Sequence, residues 1–163
     1  MAATAEGIAE SQHQNHEAAL ENFRRQVKEH PNDALGYYLL AEALSWAPPD
    51  ADKNASAPAS LTEAISTARK ATQLDPSLVQ AWDLLASLEL QNEKPEEAAK
   101  LARQALKLAP EDQQAVYTLI LALRKTGSRD ELKGLVEKLT ELRKQEQTAA
   151  SQKNRYGRLV EAQ

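Results

Sequence analysis

Leu74–Pro110 reads LDPSLVQAWDLLASLELQNEKPEEAAKLARQALKLAP, and the prolines near its two ends, Pro76 and Pro110, lie 34 residues apart. Apolar and small residues recur within it at helical spacing twice, first at Trp82, Leu85 and Ala86 and then at Ala98, Leu101, Ala102 and Ala105. That pattern predicts two helices closed by a proline, because the residue before Pro is pushed out of helical geometry. Pro95, following Lys94, suits the first turn of the second helix, where its missing N–H costs nothing.

The same offset of 34 links Trp82 to Val116, Leu85 to Leu119, Ala64 to Ala98, Ala68 to Ala102 and Ala71 to Ala105. Backwards the offset is 45, from Pro31 to Pro76, Tyr37 to Trp82, Leu40 to Leu85, Ala41 to Ala86 and Ala19 to Ala64. A set of matches at one period signals a stacked repeat rather than a chance pair. The longer offset places an eleven-residue insertion between Leu44 and Ala64, in the Pro- and Ala-rich stretch 47–59, which reads as a loop. Three segments carry capping-box spacing and predict helix starts: Ser60 to Glu63, Ser77 to Gln80 and Ser128 to Glu131.

A 34-residue unit with an aromatic, Leu and a small residue in its first helix, small residues in its second and a closing Pro resembles the tetratricopeptide repeat (TPR). Residues 79–112 carry the likeness best, through Trp82, Leu85, Ala86, Ala98, Ala105 and Pro110. Units at about 34–77, with the insertion, and 113–144 follow the same plan. A degenerate unit is expected at about 1–31, with a first helix near Ala3–Gln14 and a second from Asn15 to Pro31. In the last unit Ile120, Leu132 and Leu139 fill normally small positions, so it is expected to end the stack.

The resemblance implies an all-α fold, an α-α superhelix of antiparallel helix pairs forming a right-handed solenoid, with Trp82 in the core and a long C-terminal helix. The expected division is a repeat domain at 1–146 and a polar, basic extension at 147–163, helical or frayed. Tyr156, Leu159 and Val160 are expected either to fold back onto the domain or to meet a partner.

In the TPR family the first helices line a concave groove that holds a peptide or a partner helix. Residue by residue, this implicates Leu35, Tyr38, Glu42 and Ser45, then Gln80, Asp83, Ser87 and Leu90, then Gln114, Tyr117, Leu121 and Arg124. Tyr38 and Tyr117 adjoin the core-aromatic position, so the helical turn swings each about 100° toward the groove; the alternative is that both cover neighbouring helices. A TPR subclass grips chaperone C-terminal carboxylates with Lys, Asn and Arg. The matching places here are Thr4, Ile8, Leu84, Gln114 and Thr118, so such a tail is disfavoured. Glu42 and Asp83 imply a neutral-to-acidic centre, with Arg124 and Lys125 at one end, and a partner segment with apolar and positively charged side chains. The partner is thus expected to be a protein or peptide of unknown identity.

The rest of the sequence narrows the function by exclusion. With no cysteine among 163 residues, disulfides, thiolate metal sites and Cys nucleophiles are ruled out. No Gly-rich phosphate loop, GxSxG or HExxH occurs, so no enzyme and no cofactor is expected. His13 and His16 are three apart, as helical metal ligands are, yet polar residues around a turn between the first two helices explain them as well, and no metal site is expected. Trp46 either plugs Pro48 and Pro49 onto the domain or stands as an exposed contact.

The net charge of −4 hides an asymmetry, since residues 124–163 hold ten Lys and Arg against six Asp and Glu. Those basic residues alternate with Glu and lack interleaved aromatics, so nucleic-acid binding is not favoured. No stretch has the length and apolarity of a membrane span, and a cytoplasmic protein, monomer or weak dimer, is expected. Self-assembly through the terminal helices is the main alternative to groove binding.

Overall fold

The computed structural model describes the backbone of residues 3–46 and 59–160 and the side chains of residues 16–46 and 61–150. Seven helices occupy these residues, and no strand occurs among them: α1 Ala3–Glu29, α2 Ala34–Ser45, α3 Ala59–Leu74, α4 Val79–Gln91, α5 Pro95–Leu108, α6 Gln113–Thr126 and α7 Leu132–Val160. Pro95 opens α5 as its first residue. α3 ends before Asp75-Pro76 and α5 before Ala109-Pro110, as the restriction on the residue preceding proline requires. α6 closes on Gly127, whose φ of 75° is the left-handed cap conformation that glycine adopts without strain.

Helices meet in chain order, and in addition α4 touches both α2 and α6, whereas α3 and α5 make no close backbone contact with each other. One row, α2–α4–α6, is therefore tighter than the other, and the layer curves with that row on its inner side. Alanines at the repeat positions make this possible. Ala41, Ala64, Ala68, Ala86, Ala98 and Ala102 are all fully buried, letting backbones approach while Leu40, Leu85, Leu101 and Leu119 fill the remaining space. A second, smaller cluster of Val116, Ile120 and Leu139 joins α6 to α7, with Leu132, Leu135 and Leu142 packed on it.

Several expectations are corrected. The degenerate first unit is one continuous helix, Ala3–Glu29, with no turn near His13–His16. Between Gly7 and Pro31 the sequence holds neither Gly nor Pro and is rich in Ala, Glu and Gln, so nothing breaks the helix. Trp82 is half-buried at the edge of the core, its indole N–H donating to the Pro76 carbonyl at 2.9 Å. The capping boxes at Ser77 and Ser128 do not form, and the side chain of Ser60 lies outside the described residues. α3 begins at Ala59, one residue ahead of Ser60. At Ser77 the Asp75 carboxylate takes both the backbone N–H (2.9 Å) and the hydroxyl (2.6 Å), and Leu78 becomes the N-cap with no side-chain bond. Glu131 is drawn instead to Arg103 at 3.0 Å, and α7 starts at Leu132.

α7 runs 29 residues, Leu132–Val160, continuing past residue 146 and through Gly157. Its side chains from Arg143 to Ala150 are exposed. The side chains of Tyr156, Leu159 and Val160, that of His13, and the inserted loop with Pro48 and Pro49 lie outside the described residues. Trp46 caps α2 at its C-terminus and packs against His16 of α1, the rings tilted by 49° with centroids 4.5 Å apart.

Candidate functional site

Where α2, α4 and α6 come together, they border an open cleft of about 340 Å³ lined by Tyr38, Glu42, Gln80, Asp83, Leu84, Ser87 and Gln114. The repeat dictates this convergence. Tyr38 and Asp83 are separated by the 45-residue offset, as are Glu42 and Ser87, while Gln80 and Gln114 are separated by 34. Equivalent positions on successive first helices point to one surface because each helix repeats the orientation of the last.

Hydrogen bonds hold most of the lining in place. The Tyr38 hydroxyl donates to Glu42 Oε1 at 3.0 Å, one helical turn on. Burial, followed by the Glu42 carboxylate, pushes the Tyr38 phenol above its ordinary pKa. Gln114 Nε2 lies 3.4 Å from Ser87 Oγ and 3.5 Å from Thr118 Oγ1, joining α6 to α4. Leu84 supplies the apolar surface.

Asp83 is the exception. It is 8% exposed, and its Oδ1 has no hydrogen-bond partner among the described residues. Burial first, then the charge of the Asp112 carboxylate and a side-chain hydrogen bond to it, push its carboxyl up to about 7. Asp112 is the N-cap of α6, accepting from the Ala115 backbone N–H at 2.9 Å. That bond holds one carboxylate in place close to a second, and like charges at a buried position favour keeping a proton on one of them.

The other expected groove residues lie around the cleft rather than in its lining. Leu35 and Tyr117 are exposed, at 53% and 42%, and Arg124 is exposed near the end of α6. Leu121 is half-buried, Leu90 packs against the core, and the Ser45 hydroxyl donates to the Glu42 carbonyl at 2.6 Å. The expected partner-binding residues did not include Leu84, Asp112 or Thr118; Leu84 and Thr118 entered only as places matching the carboxylate-gripping set, and Asp112 was missed. The repeat itself offered a signal for Asp112: together with Asp33 it stands at the repeat position of Leu78, the N-cap of each first helix.

No Lys or Arg lines the cleft, and among the described residues no group of three His, Asp or Glu side chains is arranged to hold a metal ion. Nor, among those residues, is any helix long and apolar enough to cross a membrane.

Over residues 50–157 the chain matches a family model described as Tetratricopeptide repeat, and a second model of that description matches residues 4–44. Among solved structures, MamA is 19% identical, with 82% of this chain and 71% of that chain covered at a TM-score of 0.68. The MamA RS-1 ArsTM double mutant is 19% identical, covering 84% and 72% at 0.66. MamA MSR-1 C2 is 16% identical, covering 86% and 74% at 0.64. At these identities the likeness speaks for the fold. None of the curated proteins compared matches the chain.

Proposed function

The chain belongs to the tetratricopeptide-repeat family, and from that premise we propose that it is a non-catalytic scaffold that binds an extended segment of a partner protein along α2, α4 and α6. The observation that carries this reading is the cleft itself. Three successive first helices contribute to one concavity whose lining mixes apolar surface (Leu84, Tyr38) with polar side chains (Gln80, Ser87, Gln114), the combination that fixes a ligand's position and register. Exposed Tyr117 and Leu35 on the same row of helices extend the surface with side chains suited to burial against a partner.

The test uses position-specific photocrosslinking in cells. A benzophenone amino acid replacing Gln114, an exposed residue of the cleft lining, is expected to capture a discrete partner. The same residue replacing Lys100, exposed on α5 of the opposite row, is expected to capture none. Equal capture from both positions, or capture only from Lys100, removes the groove reading.

A further inference from the structure

Asp83 stands out in an otherwise well-bonded site. Two donors of the lining are committed elsewhere, the Tyr38 hydroxyl to Glu42 and the Gln114 amide to Ser87 and Thr118, and the exposed Gln80 amide does not donate to Asp83 Oδ1. Asp83 Oδ1 receives no donor from another described residue, and the group its carboxyl does bond is a second carboxyl, Asp112; two acids that share one proton in a buried place carry charge that only a cation can compensate. Resting on the reading of this face as a peptide groove, we propose that the cleft is a pocket for a single cationic side chain, arginine or lysine, of the bound segment, with Asp83 as its carboxylate partner.

Charge and shape both select such an occupant. Glu42 and Asp83 line the cleft, Asp112 stands beside Asp83, and no Lys or Arg among the lining residues balances them. A neutral donor would satisfy Oδ1 but leave the charge uncompensated, whereas a guanidinium or ammonium satisfies both. A metal ion needs three converging ligands, and no such group occurs among the described residues. A volume of about 340 Å³ admits one long side chain, whose aliphatic stem lies on Leu84 while its cationic head reaches Asp83 and the Tyr38 ring.

The titratable groups about Asp83 are Asp112 at the start of α6 and Tyr38 and Glu42 on α2; α3, α5 and α7 contribute none to the lining. A bound cation favours the ionised carboxyl, so binding releases a proton and tightens as pH rises from 6 to 8.

The experiment selects a displayed random-peptide library on the full chain at pH 7.5 and keeps clones whose binding is lost with Gln114→Trp, which fills the cleft from an exposed position. Those clones are expected to share an Arg or Lys at one register position. They are also expected to lose tenfold or more in affinity with Asp83→Asn and to tighten between pH 6 and 8. Independently of any protein variant, replacing that Arg by citrulline, or Lys by norleucine, is expected to cause the same loss on the wild-type chain. Cleft-dependent clones with no shared cation, or with one whose neutral replacement binds equally well, overturn the pocket and leave the groove reading standing. Failure to recover any clone sensitive to Gln114→Trp overturns both.

Discussion

Asp83 shows what a residue's neighbours do to it. Ionised, it gives up strong hydration and faces the Asp112 carboxylate; protonated, it gives up less and hydrogen-bonds Asp112, so the folded protein holds the proton up to a pH of about 7 against an ordinary value of 3.8. Because the folded-state pKa lies above the unfolded one, the stabilisation is complete below the unfolded pKa and is lost as pH rises through about 7. Asp83→Asn cannot ionise and escapes that loss. Relative to wild type it is expected to gain about 2–3 kcal/mol between pH 5 and pH 8, read as the difference in urea unfolding free energy. Asp33 and Asp75, both held below the ordinary range, first by the Gln26 amide and by the Ser77 hydroxyl respectively, act in the opposite direction. They are common to both proteins and drop out of the comparison. Parallel pH profiles would show that Asp83 ionises as a solvated carboxyl does. The sequence placed Asp83 on the groove but held no sign of its titration, because Asp112 is 29 residues away and meets it only when α6 docks on α4.

At the scale of helices, the repeat sets an ionic pattern that the apolar spacing does not reveal. Arg24, Arg69 and Arg103 are separated by the offsets 45 and 34, and Glu63, Glu97 and Glu131 by 34. Arg24 pairs with Glu63 and Arg103 with Glu131, each at 3.0 Å and well exposed. Between them Arg69 departs from the pattern, reaching Glu89 of α4 at 2.6 Å, and Glu89 is 1% exposed. Exposed pairs contribute about 0–1 kcal/mol, so Arg103→Ala is expected to leave the chemical-denaturation midpoint nearly unchanged. Arg69→Ala strands a buried carboxylate, with Asn92 at 3.4 Å and Lys94 at 4.0 Å as its remaining partners. It is expected to cost about 3 kcal/mol; equal effects of the two substitutions would contradict this assignment.

Two glycines give a matched pair at the same scale. Gly127→Ala forces a side chain into the left-handed cap of α6 and is expected to cost about 1 kcal/mol. Gly134→Ala, early in α7 with open space around it, is expected to gain about 1 kcal/mol. Thermal melts of both variants read the two signs. The helix starts show why capping boxes misled: Ser77 and Glu131 have the right spacing, but Asp75 and Arg103 compete for them and win by proximity.

For the whole molecule, a stack of units that touch only their neighbours has a stability that varies along its length. Leu85, 1% exposed on α4, belongs to the cluster that links α2 through α6, whereas Leu139, 8% exposed, belongs to the small cluster between α6 and α7. Leu85→Ala is expected to cost about 3–5 kcal/mol and to lower hydrogen-exchange protection throughout α2–α6. Leu139→Ala is expected to cost less and to release α7 alone; uniform loss of protection in both variants would show that the stack unfolds as one unit. The sequence by itself determined the repeat, the helical composition, the proline-terminated pairs and the residues of the inner row, because period, propensity and proline geometry are local properties of the chain. Only the tertiary structure decided that α1 is one helix that meets Trp46 through His16, that Trp82 sits at the core's edge, and that Arg69 turns inward to Glu89. The state of Asp83 belongs to the same class: these outcomes depend on distance and solvent exclusion between residues far apart in the chain, which spacing along a sequence does not encode.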